Sequence, residues 1–271
     1  MDAQSFLGME NVGDGLHWQM RVEPQLTTPG NFLFGGCGLG AALVALEEAS
    51  GRPTVWATGQ FLSYAPTHSL VEWEITLAVV GNRVTQGRAV GTVGGQEILT
   101  VNAALGEDQL PLNGVWVEPP AVLPPEECAP RVVPEMFRNT ILDKIEVRVA
   151  KGLVLEEMNG IPGGPDSALW ARVPGHLTPS AATLAIFGDY VSGGASQPLG
   201  RRSMGRSLDN TLRVARLTPT EWVLCDVRIH ALINGYAQGV AFLWSQSGEL
   251  LATASQSFVV RLWPGQDEAS Q

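Results

Sequence analysis

The chain is short of positive charge. Its 271 residues carry 17 Lys and Arg against 27 Asp and Glu, a formal charge of -10 at pH 7. That balance argues against nucleic acid or an anionic membrane surface as a partner. A local cluster such as Arg201, Arg202 and Arg206 can still take a phosphate against the global charge. Cysteine is scarce too: Cys37, Cys128 and Cys225 are far apart and odd in number. With no CxxC or Cys/His cluster, neither a zinc site nor a disulfide framework is expected. The histidines, His17, His68, His176 and His230, are equally scattered. No apolar run is long enough to span a membrane. The opening Met1-Asp2-Ala3-Gln4 lacks the basic and apolar regions of a signal peptide. No Gly-x-Ser-x-Gly elbow occurs, which argues against the serine nucleophile of an α/β-hydrolase. The expectation is a cytoplasmic protein in a reducing compartment, with no cofactor and no membrane insertion.

What is present is a pattern repeated in order. In the first half, Trp18, Met20 and Val22 alternate with polar residues. A small-residue helix then runs from Gly35 to Glu48, with Leu39, Leu43 and Leu46 on one face. Strand-like segments follow at Val55 to Tyr64, Val71 to Val80, Thr85 to Val93 and Glu97 to Leu105, with turns at Gly81-Asn82 and Gly94-Gly95. A proline-rich stretch with no periodicity reads as a linker. In the second half, Ile145, Val147 and Val149 alternate, and Ser167 to Val173 reads as a strand. Thr178-Pro179 reads as a helix start, with the helix running through Tyr190 to Gly193-Gly194. Strands are expected at Arg206 to Ala215, Glu221 to His230, Gly235 to Trp244 and Leu250 to Leu262. This is an α+β pattern, an antiparallel sheet wrapped around one apolar helix, occurring twice. The boundaries are a first repeat over 1–108, a linker over 109–136 and a second repeat over 137–271.

Aligning the repeats singles out polar residues in the second copy. Setting Thr100 against Thr253 puts Ala103 opposite Gln256, and setting Phe61-Leu62 against Leu212-Arg213 puts Thr58 opposite Asp209. An acid and an amide in one copy only point to a duplicated scaffold with a single site, expected where the halves meet.

The residues also resemble a known family. The set is Phe34-Gly35-Gly36, Phe61-Leu62, Gly81-Asn82-Arg83 before Arg88-Ala89-Val90, Ser207-Leu208-Asp209-Asn210-Thr211, Glu221-Trp222-Val223-Leu224, Gly239, Ser247-Gly248-Glu249-Leu250, and Ala252-Thr253-Ala254-Ser255-Gln256 leading to Arg261. In this order, over both halves, it is similar to the acyl-CoA thioesterase II (TesB-like) enzymes, which are double hotdog proteins. The resemblance implies hydrolysis of acyl-CoA to free acid and CoA by a water held by an Asp, a Ser or Thr, and a Gln. It implies Asp209 and Gln256 for two of these. The family usually has His after the Asp, where this chain has Asn210. The hydroxyl position falls at or next to His230, where neither Ser nor Thr stands. The expected partner is an acyl-CoA, and a homo-oligomer is expected.

Thioester hydrolysis needs a nucleophile, a base and donors for an oxyanion. Here Asp209 is expected to take the proton of water if burial raises its pKa, Gln256 to orient that water through its carbonyl oxygen, and His230 to bond the water or the acid. The N–H groups of Gly36 and Cys37, at the positive end of the first helix, are candidate oxyanion donors. Thr211 is a further candidate hydroxyl. Each has a plain structural alternative: Asp209 as a strand-edge carboxylate, Gln256 as a bridge between backbone groups, His230 as a structural histidine. Gly36-Cys37-Gly38-Leu39-Gly40 looks like a dinucleotide glycine run, but no parallel βαβ unit surrounds it. Two other functions stay open. One is a non-catalytic acyl-CoA-binding protein. The other is an enoyl-CoA hydratase, which needs an Asp and a His at the start of a hotdog helix.

Overall fold

The computed structural model describes residues 1–108, 110–175 and 178–263; His176 lies outside them. The first half comprises α1 (Ala3–Leu7), β1 (Met9–Asn11), β2 (His17–Arg21), α2 (Gly35–Ser50), β3 (Thr54–Phe61), β4 (Leu70–Val80), β5 (Val84–Val93) and β6 (Gln96–Gly106). The second comprises β7 (Ala129–Pro130), α3 (Ile141–Lys144), β8 (Glu146–Lys151), β9 (Asp166–Arg172), α4 (Ala181–Gly188), α5 (Ser196–Leu199), β10 (Ser203–Ser207), β11 (Asp209–Val214), β12 (Val223–Ile233), β13 (Tyr236–Ser245) and β14 (Leu250–Leu262). Each half wraps antiparallel strands around one helix, so the hotdog arrangement occurs twice. The two sheets join edge to edge through β3 and β11, giving the order β1-β2-β4-β5-β6-β3-β11-β14-β13-β12-β9-β8-β7 with β10 on β14. At the seam Thr58 pairs with Thr211, and their hydroxyl oxygens lie 2.8 Å apart.

The two copies share local irregularities. The β4–β5 ladder shifts register between Leu77 and Val79, and the β12–β13 ladder shifts between Ile229 and Ala231. Ala78 and His230 are thus the extra residues of matching bulges, left unpaired. The ladders also correct one alignment of the repeats. Thr58 pairs with Asn102 and Thr211 with Ser255. With Ala103 and Gln256 next along their strands, Thr211 is the counterpart of Thr58. Asp209 lies two residues earlier, opposite Gln60 across the seam.

The helices meet in the middle because small residues let them. A Cβ on Gly36 would lie 2.8 Å from Ile186 Cα, and one on Gly40 would lie 2.9 Å from the Ala182 carbonyl oxygen. The N-terminal turn of α2 therefore lies against the C-terminal turn of α4, and the helices run antiparallel. All eight residues of α4 are buried. A helix apolar on every side must be covered on every side, here by α2 and its own sheet. It starts at Ala181, later than Thr178-Pro179, because Ser180 is the N-cap and its hydroxyl accepts from the Thr183 N–H. Thr183 Oγ1 in turn donates to the Thr178 carbonyl and holds that residue outside the helix. The helix is also shorter than the pattern indicated: Asp189–Ala195 form a 3-10 segment before α5. The single strand expected from Arg206 to Ala215 divides at Leu208 into β10 and β11, both laid along the long β14.

The proline-rich segment docks on the outside of the second sheet. Leu123 presents its carbonyl to Trp170 Nε1 at 2.9 Å. A small cluster of Cys128, Trp170, Trp222, Leu224 and Trp244, with Val122 packed against it, closes over that face. Apolar residues facing outward from a sheet need such a cover, which explains their placement on β9 and β12–β13.

Candidate active site

Asp189 ends the buried helix and opens the 3-10 segment. It is 3% exposed. Its Oδ2 accepts the Gly36 N–H at 2.8 Å, and its Oδ1 accepts from Gln256 Nε2 and, at 3.4 Å, from Asn210 Nδ2. The chain makes this contact for a reason on each side. Helix α2 has Phe34 at its N-cap and no capping side chain of its own. Its open N–H groups and positive end favour a carboxylate there, and the other half supplies one. Burial nevertheless dominates and pushes the Asp189 pKa up to about 7, against the pull of the hydrogen bonds from Gly36, Gln256 and Asn210. A carboxyl poised near neutrality can both accept and return a proton in water.

Gln256 is 2% exposed, and its amide orientation is fixed. Its Oε1 accepts the Ser192 N–H at 3.1 Å, so its Nε2 faces Asp189 and, at 3.4 Å, Ser207 Oγ. The carbonyl expected to orient water is therefore engaged with backbone. Ser207 pairs with the buried Phe258. Asp189, Ser192 and Ser207 line one cavity of about 520 Å³ between the halves, walled by Phe61 and Leu99 from one repeat and Leu169 and Val227 from the other.

The other expected residues fall elsewhere. Along β11, Asn210 and Leu212 are buried while Asp209, Thr211 and Arg213 alternate with them. Asp209 thus lies on the opposite face from Asn210, where its Oδ1 accepts the Ser257 N–H at 2.8 Å. Ser257 is exposed next to the buried Gln256, so Asp209 and Gln256 are on opposite faces of the sheet. His230 is exposed in its bulge and does not line the cavity. Thr211 bonds Thr58 on the seam. The Gly36 N–H is taken by Asp189, and the Cys37 N–H by the Phe34 carbonyl at 3.0 Å. Burial and the nearby Asp189 hold the Cys37 thiol well above its ordinary pKa, which keeps it protonated. In the arginine cluster, Arg206 stacks over Tyr64 at 4.9 Å beside the cavity, and Arg202 donates to the Leu155 carbonyl. Among the described residues the N-caps of α2 and α4 are Phe34 and Ser180, and no Asp–His pair of hydratase type stands at either helix start.

Comparison with known proteins agrees with this architecture. The family described as the acyl-CoA thioesterase C-terminal domain matches residues 125–260. A protein from Novosphingobium aromaticivorans that carries a provisional thioesterase name is 33% identical, over 93% of this chain and 97% of that one, with a TM-score of 0.83. The chain belongs to this acyl-CoA thioesterase family. The fold is shared with the tesB protein of Mycobacterium avium (17% identity; 96% and 98% covered; TM-score 0.76) and an acyl-CoA thioesterase II of Mycobacterium marinum (18%; 97% and 98%; 0.73). A search of curated proteins gave no match.

In this chain Gln256 brings together an Asp and a hydroxyl, Asp189 and Ser207. Sequence reasoning missed Asp189 and Ser207. The signal for Asp189 was present: no Asp, Glu, Lys or Arg occurs between Arg172 and Asp189. An acid at the end of such an apolar helix has to be explained by a partner or a task. Among the described residues no cluster of His, Cys, Asp and Glu could hold a metal ion, and no helix is long and apolar enough to cross a membrane.

Proposed function

We propose that the chain is an acyl-CoA thioesterase in which Asp189, rather than Asp209, is the general base, assisted by Ser207 and Gln256. The observation that carries the reading is a buried carboxyl with a pKa of about 7, in a cavity wall, beside a hydroxyl and an amide. An acyl-CoA enters the cavity with its thioester carbon next to Asp189 and Ser207. Asp189 draws a proton from a water molecule as the water oxygen bonds to that carbon. The Ser207 hydroxyl positions the same water. The tetrahedral oxyanion then collapses, the carbon–sulfur bond breaks, and the CoA sulfur leaves with the proton that Asp189 took. Gln256 holds both Asp189 and Ser207 in place, because its own carbonyl is anchored on Ser192. Asn210 contributes a donor to Asp189 Oδ1 from the position where the family usually has His.

A thiol-release assay with a panel of acyl-CoAs tests this. The expected outcome is CoA release that Asp189→Asn abolishes. Absence of release across the panel, with tight acyl-CoA binding, would instead establish a binding protein.

A further inference from the structure

Arg131 lines the same cavity, yet every partner it has is neutral. Its Nη1 donates to the Tyr190 hydroxyl at 3.3 Å, and its Nη2 donates to the carbonyls of Leu142 and Ile145 at 2.7 and 3.1 Å. Its guanidinium lies over the Tyr190 ring, 5.7 Å from the centroid. Its Nε is buried without a hydrogen-bond partner. The ion pairs found among the described residues do not include Arg131. Tyr190 supplies no counter-charge, because burial raises its pKa and keeps the phenol protonated at neutral pH. The neighbouring wall is apolar, made by Phe137, Ile141, Leu142 and Val147. A half-buried cation among such walls is expensive unless an anion joins it. Tyr190 directly follows Asp189, and both line the cavity with Arg131.

We propose that Arg131 receives a carboxylate at the far end of the acyl group, so that the preferred substrates are ω-carboxyacyl-CoAs. This rests on the thioesterase reading of the cavity. Guanidinium is suited to the task, since its planar fork matches a carboxylate and it keeps its charge at any working pH. The other Arg131 contacts fix the side chain in advance, which lowers the ordering cost of binding.

The test compares kcat/KM for ω-carboxyacyl-CoAs, from succinyl-CoA to sebacyl-CoA, with straight-chain acyl-CoAs of equal carbon count. At one chain length the carboxylated substrate should be favoured by about tenfold to a hundredfold, the range of a charged hydrogen bond. Arg131→Gln should bring that ratio to near unity. Because Arg131 also holds two backbone carbonyls, Arg131→Lys is the second variant, and it should retain part of the preference. Calorimetric binding of the free dicarboxylic and monocarboxylic acids reads the same contact without turnover. If no acyl-CoA is cleaved, the proposed function fails, but preferential binding of the dicarboxylic acid still supports the Arg131 site. A wild-type protein indifferent to the ω-carboxylate in both measurements, or a ratio unmoved in Arg131→Gln, overturns the proposal.

Discussion

The Gly36 N–H donates to Asp189 Oδ2 at 2.8 Å across 153 positions of sequence. One repeat's helix start and the other repeat's helix end thus meet at a single carboxyl. The halves are not independent modules around this point. The helix that lacks its own cap is capped by the group proposed as the base of the reaction.

Gln256 should matter for activity, and its strand neighbours in the first repeat should not. Gln256→Ala removes a donor to Asp189 and to Ser207 and leaves the Ser192 N–H unpaired. A loss of about a hundredfold or more in kcat is expected, typical of a lost donor at a reacting centre. Asn102→Ala, on an exposed position of β6, should stay near the wild-type rate. Equal losses in the two variants would contradict a one-sided site.

His230→Thr should change neither rate nor pH profile. The residue is the exposed extra member of a bulge that the first repeat carries at Ala78. Any limb of the pH–rate profile that vanishes in His230→Thr would place the histidine in the reaction after all.

The helix contact is tight enough to predict a fold effect. Gly40→Ala puts a methyl group 2.9 Å from the Ala182 carbonyl oxygen, so α2 and α4 must separate. A loss of roughly 1–3 kcal/mol is expected, the usual cost of overpacking, and it should appear as a lower denaturation midpoint with an unchanged m-value. A midpoint equal to wild type would show that the helices have slack.

Most elements were legible in the sequence, and so was Gln256, whereas Asp189 and Ser207 were not. Alternation located β2 and β4, which each have one wet face and one dry face, and glycine turns marked the hairpins of the first repeat, whereas β12 is buried on both faces over its first five residues. The same period of two should have placed Asp209 and Asn210 on opposite faces of β11. The inward residue is Asn210, and the acid beside it faces the other way. The position expected for the hydroxyl, at His230, falls in a bulge, which strand periodicity alone does not reveal. Asp189 was hidden for another reason: its partners Gly36, Asn210 and Gln256 come from three other elements, and only the helix–helix contact brings them together.

Stability should depend on pH through Asp189. Its pKa in the fold, about 7, lies above the ordinary value of 3.8. Below 3.8 the carboxyl is protonated whether folded or unfolded, and the fold bears no penalty. As pH rises from 3.8 to about 7, the unfolded chain ionises first, so the fold progressively loses stability; above that range the penalty is constant. Asp189→Asn removes this dependence. Denaturant titrations at several pH values should show the variant gaining on wild type across that window, by a total on the order of 4 kcal/mol. An amide facing Gln256 Nε2 adds an offset that does not vary with pH. A pH-independent gap between the two proteins would mean that Asp189 is ionised at an ordinary pKa.

The most direct test of the account is the pH–rate profile of acyl-CoA hydrolysis in wild type, Asp189→Asn and Asp209→Asn. With Asp189 as the base, wild-type kcat/KM rises through an apparent pKa near 7. Asp209→Asn keeps both that limb and most of the rate, because its carboxylate accepts the Ser257 N–H on the opposite face of the sheet. Asp189→Asn falls by about a thousandfold or more while remaining folded. Loss of activity in Asp209→Asn together with near-normal turnover in Asp189→Asn would contradict it.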